Sequence, residues 1–398
     1  MARVTLLLGS GASLSAGMAS TEEITQLVLS GQGVWRHTDE RYYISETLPG
    51  YLPHPENVPL IVTFLSSLRE IAVEYYGRPS GYQPSYEDLF YLARQVADCE
   101  TQEYDNPAVL PLCQRLHFEY DKTLRAADAL EPSYWDLARL ADEACNYIAD
   151  LASHRLTVPP TTTEYLTPLL NAFCERTCNK LVIATLNHDT VIETALQVIR
   201  VRYDDGFVDL DRTIARWEPV QLATGASLRL FKLHGSVDRH WVGRRGRGTE
   251  NDFVARIARE ADYRKLRLPD ATELMVHSNR PLFLIGTHNK ILRYSDEVFL
   301  SLFYRFSEAL RDNTTLVVCG YGFRDKGINK VVVEWLQSGA DRRLVIIHPE
   351  PERLRLRARG AIALRWDSWL ERNQLELFSR TLEGVTRSDL EDIFTPSR

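Results

Sequence analysis

An asparagine, an aspartate and a histidine stand where apolar runs break off: Asn187 and Asp189 in Ile183–Asp189 (IATLNHD), His234 in Phe231–Ser236 (FKLHGS). A carboxamide donates and accepts together, so Asn187 can hold a sugar hydroxyl or a water. A neutral imidazole near pH 7 can take a proton from either, the work of a general base. Asp189 can accept from sugar hydroxyls or buttress its own loop. These three are the candidate catalytic residues. Two glycine-rich runs occupy similar positions, Val4–Gly17 (VTLLLGSGASLSAG) and Leu316–Phe323 (LVVCGYGF). Gly9 and Gly11 permit close backbone approach. The loop Gly9-Ser10-Gly11-Ala12-Ser13, closed by Gly17, can present N–H groups and two hydroxyls to a pyrophosphate. Gly320 and Gly322 allow backbone approach to a ribose or phosphate, with Tyr321 and Phe323 as pocket walls. Thr185 ends the strand before Asn187. His348, in His348-Pro349-Glu350, falls near an adenosine if the strand order is that of dinucleotide folds. As an ordered set, these residues form a pocket for a dinucleotide with chemistry at its ribose.

Each residue also has a plainer reading. Asp189 or Asn187 can cap the helix that follows, a role both residue types favour. The glycines can serve tight turns alone, and a histidine is often structural. His188, His288 and His348 are alternative bases, and His240 is a weaker one. The first loop departs from G-x-G-x-x-G because Leu14 stands where the third glycine would be. Ile285-Gly286-Thr287 resembles the other strand ends but is the least specific.

The elements that must position these groups alternate. Short apolar runs at Val4–Leu8, Lys180–Thr185, Leu228–Leu233, Leu282–Ile285, Thr315–Cys319 and Leu344–Ile347 read as buried parallel strands. Helical patterns at Thr190–Arg200, Lys290–Arg311 and Asp325–Gln337 lie between them. Ser20-Thr21-Glu22-Glu23 marks a helix start. Between the first two strands, Leu60–Tyr76, Tyr86–Ala97, Val109–Ala129 and Tyr134–Leu151 carry helical spacing. Tyr203–Leu228 reads as loop, and Ser368–Phe394 as an amphipathic helical tail. The expected fold is α/β, a Rossmann-like doubly wound parallel sheet with a large helical insertion. Residues 1–34 and 180–367 would form the sheet domain, 35–179 the insertion and 368–398 the tail.

Composition narrows the classes. The chain has 398 residues, 44% of them hydrophobic, and a net charge of −7, which leaves no overall basic footprint for nucleic acid. The basic run Arg239–Arg247 reads as a solvated loop or, less simply, a polyanion contact. Cys99, Cys113, Cys145, Cys174, Cys178 and Cys319 include no CxxC pair. Cys174 and Cys178 share a helix face by spacing, which is too few ligands for zinc. No targeting or membrane-spanning segment is evident, and the expectation is a cytoplasmic protein with reduced thiols.

Gly9–Gly17, Thr185–Asp189, His234-Gly235 and Gly320–Phe323 together resemble the bacterial sirtuin-like family, NAD-binding relatives of the sirtuin deacylases met in antiviral defence operons. The resemblance covers roughly residues 1–30 and 180–350. It implies NAD+ as substrate across the strand ends, Asn187 and His234 as the catalytic pair, Asp189 in support and the Gly9–Ser13 backbone on the pyrophosphate. Deacylases of this kind carry zinc in paired CxxC elements, and follow the glycine loop with Pro-x-Phe-Arg. This chain has neither, running Met18-Ala19-Ser20-Thr21 instead. The implied activity is therefore NAD+ glycohydrolysis without zinc, in a homo-oligomer working with a separately encoded HerA-type ATPase. An NAD or ADP-ribose sensor and an ADP-ribosyltransferase or deacylase are the alternatives.

Overall fold

The computed structural model describes residues 4–394, apart from 49, 55–56, 77–82, 104–105, 131–134, 177–180, 219–227, 247–251, 264, 278–279 and 287–296. Two compact units divide the chain. Met1–Met18, Leu156–Leu284 and Lys290–Arg398 make the larger; Ala19–Arg155 with Ile285–Asn289 make the smaller. Among the described residues no helix is long and apolar enough to cross a membrane.

The chain opens with strand β1 (Val4–Leu8) of the larger unit and then supplies the smaller, mostly helical unit. Its first helix, α1 (Thr21–Ser30), starts at a capping box: the Ser20 hydroxyl accepts the Glu23 amide while the Glu23 carboxylate accepts the Ser20 amide. A three-stranded antiparallel sheet follows, with β2 (Trp35–His37), β3 (Tyr42–Tyr43) and β4 (Pro53–His54). Then come α2 (Asn57–Tyr76), α3 (Tyr86–Glu100), α4 (Leu110–Leu130) and α5 (Leu137–Leu156), the four helices that the apolar spacing predicts. Helix α1 packs on α2 and α3. It therefore belongs with the helical unit, whose first break falls at Met18 where the change of pattern pointed to residue 34.

The larger unit is built on six parallel strands. Helix α6 (Thr167–Arg176) leads into β5 (Leu181–Thr185), α7 (Val191–Val198), β6 (Phe207–Asp209), β7 (Ile214–Trp217) and β8 (Leu228–Lys232). Then follow β9 (Arg239–Arg244), β10 (Phe253–Ile257), β11 (Leu274–Val276), α8 (Glu297–Asp312), β12 (Thr315–Cys319) and α9 (Lys326–Gln337). The chain closes with β13 (Arg343–Ile347), α10 (Pro351–Arg357), α11 (Ala361–Glu371), β14 (Leu375–Phe378) and α12 (Arg387–Phe394). The parallel sheet runs β14-β13-β12-β1-β5-β8. Counted along the chain this is the doubly wound order, which reverses direction between β1 and β12. Alternate side chains feed two cores. Leu7, Ala184, Phe231 and Val318 face α8, α9 and α11, and Leu6, Ile183, Leu230 and Val317 face α6, α7 and α12.

Some sequence expectations fail for physical reasons. Leu282–Ile285 is not a sheet strand: it makes an isolated antiparallel bridge at Phe283 to Gly235, where the Leu282 and Leu284 amides donate to the Arg239 and His234 carbonyls and the Leu282 carbonyl accepts the Ser236 amide. The supposed helical tail contains β14, which pairs with β13 and adds the sixth strand. Tyr203–Leu228 and the basic run, both read as loop, hold β6, β7 and β9, which join β10 and β11 in a second, antiparallel sheet, β11-β9-β10-β7-β6. The part Arg239–Arg244 of the basic run is its strand β9, in which Arg239 and His240 are buried and Arg239 stacks 4.9 Å from the centre of the Phe207 ring. The whole Arg239 guanidinium is buried, not its stem alone, and a charge count does not reveal that.

Candidate active site

Where the strand order reverses, the turns after β1 and β12 interlock. The Gly9 amide donates to the Cys319 carbonyl at 2.9 Å, the Gly11 amide to the Gly320 carbonyl at 2.9 Å, and the Ala12 amide to Gly9 at 2.8 Å. Gly320 has φ +67, and a Cβ there would lie 2.2 Å from the Ala12 nitrogen. A Cβ on Gly9 would lie 2.6 Å from the Gly320 oxygen. Loop-to-loop contact thus accounts for these glycines, and three of the amides expected to face a pyrophosphate are bonded within the protein. Gly322 differs, because a Cβ there would meet nothing within 4 Å. Ser10 is exposed and Ser13 buried. Gly17 ends the 3-10 turn Ser10–Ala16 and packs on Thr161.

The turn after β5 brings the polar groups together. The Ser13 hydroxyl accepts from Asn187 Nδ2 at 2.8 Å and donates to Asp189 Oδ1 at 3.2 Å. Asp189 Oδ1 also accepts the Val191 amide at 3.0 Å, holding the start of α7. Thr185 Oγ1 accepts the Asn187 amide at 3.1 Å. Asn187 is 4% exposed, and its Oδ1 is buried with no hydrogen-bond partner. An acceptor held this way needs a donor, since leaving it unmade costs about 1–3 kcal/mol.

His234 lies in the turn after β8 and is 3% exposed. Its Nε2 lies 3.0 Å from Asp325 Oδ2. The His188 ring sits 6.2 Å away and stacks obliquely on Phe283 at 4.7 Å. Gly235 must be glycine at φ +79, because a Cβ would lie 2.2 Å from the Leu282 oxygen. Asp325 caps α9 through its Oδ1 and the Ile328 amide at 2.9 Å. Sequence reasoning missed its pairing with His234, since an Asp before a helix reads first as a cap.

Tyr321 and Phe323 brace this turn. The Tyr321 hydroxyl takes the Asp325 amide at 3.2 Å and donates to Asn329 Oδ1 at 2.8 Å. Phe323 is fully buried at φ +49, uncommon for an aromatic residue, and meets Trp366 edge-on. The Asn329 amide holds its carbonyl at 2.8 Å.

Beneath the turn lies a group that the sequence did not single out. Lys232, in β8, is 1% exposed; its Nζ donates to the Asp189 carbonyl and pairs with Glu193 Oε1 at 2.8 Å. Burial pushes the Glu193 carboxyl above the usual range, with Lys232 opposing. The remaining histidines stand apart. His348 Nδ1 accepts the Glu350 amide at 2.9 Å at the end of β13, and burial lowers its affinity for a proton. His240 contacts Tyr263 in the second sheet. His288, Thr287 and Cys178 lie outside the described residues. Among the described residues, no group of three or more His, Cys, Asp or Glu side chains is placed to hold a metal ion.

Residues 181–374 match the family described as SIR2-like domain, so that the turn with Asn187 and Asp189, His234 and Asp325 all fall inside the match. Comparison with curated proteins finds no match. Among solved structures, a Sir2 homolog–NAD complex is 11% identical, with a TM-score of 0.36 over 98% of this chain and 88% of that one. A structure from work on the mechanism and regulation of Sir2 enzymes is 11% identical, with a TM-score of 0.32 over 70% of this chain and 86% of that one.

Proposed function

We propose that the carboxyl edge of the parallel sheet binds NAD+ and that the protein hydrolyses the bond between nicotinamide and ribose. The observation that carries this reading is Asn187: a buried carboxamide, anchored by Ser13, with an acceptor oxygen that has no protein partner, in the turn after β5, the strand next to β8, whose own turn carries His234. A ribose hydroxyl or an attacking water supplies the missing donor. The open face at Gly322 supports close backbone approach of the substrate.

In this reaction the glycosidic electron pair leaves with nicotinamide, which departs neutral and needs no acid. The ribose passes through an oxocarbenium-like state, and the oxygen of water forms the new bond at the anomeric carbon. The proton of that water goes to His234. Asn187 orients the water or the ribose hydroxyls, and Asp189 fixes the turn that carries Asn187. By resemblance, the protein is an effector that depletes NAD+ in antiviral defence, as a homo-oligomer released by a separate HerA-type ATPase.

Nicotinamide and ADP-ribose release from NAD+, measured alone and with the neighbouring ATPase, tests the reading. Asn187→Ala and His234→Ala should each lower turnover, His234→Ala by about 10²–10⁴-fold. If no condition releases nicotinamide while NAD+ still raises the melting temperature, a sensor replaces the hydrolase.

A further inference from the structure

Helices α9 and α11 pack together and lead into β13 and β14, so their last turns sit at the amino edge of the parallel sheet, opposite the edge that carries Asn187 and His234. Helix α11 stops in a Schellman turn. Asn373 takes the left-handed region at φ 56, its amide donates to the Leu370 carbonyl at 3.1 Å, and the Gln374 amide donates to the Trp369 carbonyl at 2.9 Å. That reversal buries Gln374 at the helix end, 7% exposed. Its Nε2 crosses to the end of α9 and donates to the Leu336 carbonyl at 3.2 Å and the Gly339 carbonyl at 3.1 Å. Two carbonyls that would otherwise repel an anion at a helix C-terminus are thereby occupied.

A cavity of about 410 Å³ lies between the two helix ends. Leu336 and Trp369, both part of the core, line its apolar side. Its polar lining includes Gln337, Gln374 and two arginines, Arg365 and Arg372, and no carboxylate among the described residues. The Gln337 carboxamide, with its oxygen turned toward α11, accepts from Arg365 Nη1 at 2.8 Å and so holds that guanidinium in place. Among the described residues no carboxylate pairs with Arg365 or Arg372. Both Nε2 protons of Gln374 go to carbonyls, which leaves its Oε1 as an acceptor. An occupant that satisfies this lining brings negative charge for two guanidinium forks and a hydroxyl for the buried carboxamide oxygen. Two forks suit the three terminal oxygens of a phosphate better than the two of a carboxylate.

We propose that this cavity binds a phosphate monoester of a small hydroxylated molecule, a sugar phosphate in size, with Arg365 and Arg372 on the phosphate and Gln374 Oε1 accepting a hydroxyl. A volume of this order suits a small molecule. The site shares no residue with the carboxyl edge and stands whether or not NAD+ is hydrolysed.

Calorimetric titration of the full-length protein with ribose 5-phosphate, inorganic phosphate and ribose provides the test. Arg365→Gln and Arg372→Gln each remove one charge from an exposed side chain, and Arg212→Gln does the same at an exposed position before β7. All three variants should melt near the wild-type temperature. Ribose 5-phosphate should bind at a single site, inorganic phosphate more weakly, and ribose not at all. Each cavity variant should weaken ribose 5-phosphate by about 10-fold or more, as loss of a hydrogen bond to a charged group does, and Arg212→Gln should leave it unchanged. Added NaCl should weaken it further. Absence of ribose 5-phosphate binding overturns the proposal, and so does binding that both cavity variants leave intact, which places the ligand elsewhere. Ribose binding as tightly as its phosphate overturns the role of the arginines. Inorganic phosphate binding as tightly as ribose 5-phosphate overturns the ester and the hydroxyl contact at Gln374.

Discussion

Replacing Lys232 by methionine keeps the length of the side chain and removes its charge from the interior. Its Nζ serves Glu193 Oε1 at 2.8 Å and the Asp189 carbonyl, with side-chain exposures of 2% for Lys232 and 11% for Glu193. Removing one partner from such a buried pair costs about 3–5 kcal/mol, because the other charge stays behind unpaired. With a urea m-value of about 3 kcal/mol/M, the unfolding midpoint should fall by roughly 1–2 M. The pH dependence follows from Glu193, whose carboxyl burial already raises. A carboxyl with a raised folded-state pKa binds protons more tightly in the native state, so stability is lost as pH rises from the unfolded value through the folded one. Without Lys232 that pKa climbs further. The penalty should therefore be larger at pH 8 than at pH 5, since Glu193 takes a proton as pH falls. Lys232→Met/Glu193→Leu should recover most of the loss, since two apolar groups need no counter-charge. Urea titrations of wild type, single and double variants at pH 5 and pH 8 measure all of this. A single-variant loss below about 1 kcal/mol, or one equal at both pH values, refutes the claim that a buried charge pair supports the Asn187–Asp189 turn.

Two glycines of the β12 turn should separate folding from binding. Gly320→Ala forces a side chain into φ +67 and a contact of 2.2 Å with Ala12, so it should cost about 2 kcal/mol or more in urea unfolding. Gly322→Ala meets open space and should change stability by no more than about 0.5 kcal/mol, while weakening NAD+ in calorimetry; unchanged affinity would remove Gly322 from the pocket. Burial pushes the Cys145 and Cys319 thiols up to about 12. Neither should alkylate with iodoacetamide at pH 8 until the protein unfolds, which peptide mass spectrometry after timed quenching will show.

The strands were legible because a fully buried parallel strand is a short unbroken apolar run, and Val4–Leu8, Leu181–Thr185 and Thr315–Cys319 are buried along their whole length. Their polar ends were legible for the same reason, as abrupt changes of residue type. Asp325 was not. It stands 91 residues beyond His234, at the helix start that follows β12, a strand separated from β8 by β1 and β5, so only the assembled sheet joins the two. Lys232 was hidden because a lysine in a strand is ordinarily taken to face water. The glycines were noticed but assigned to ligand contact, whereas Gly9, Gly11 and Gly320 make room for each other. Strand β14 escaped because a run as short as Leu375–Phe378, flanked by charged and polar residues, carries a helical and an extended pattern equally well.

The long-range ties of the site also bear on how the protein is made. Ser13 meets Asn187 across 174 positions and Asp189 across 176, and the partner of His234 comes only with Asp325. A ribosome delivers these groups in that order, at about 5–20 residues per second. The nascent chain thus carries its asparagine and histidine well before the turn with Asp325 exists. Contacts of such sequence separation close late in folding. Every incomplete or truncated product lacking α9 is therefore without the His234–Asp325 contact, and that tie is a property of finished molecules alone.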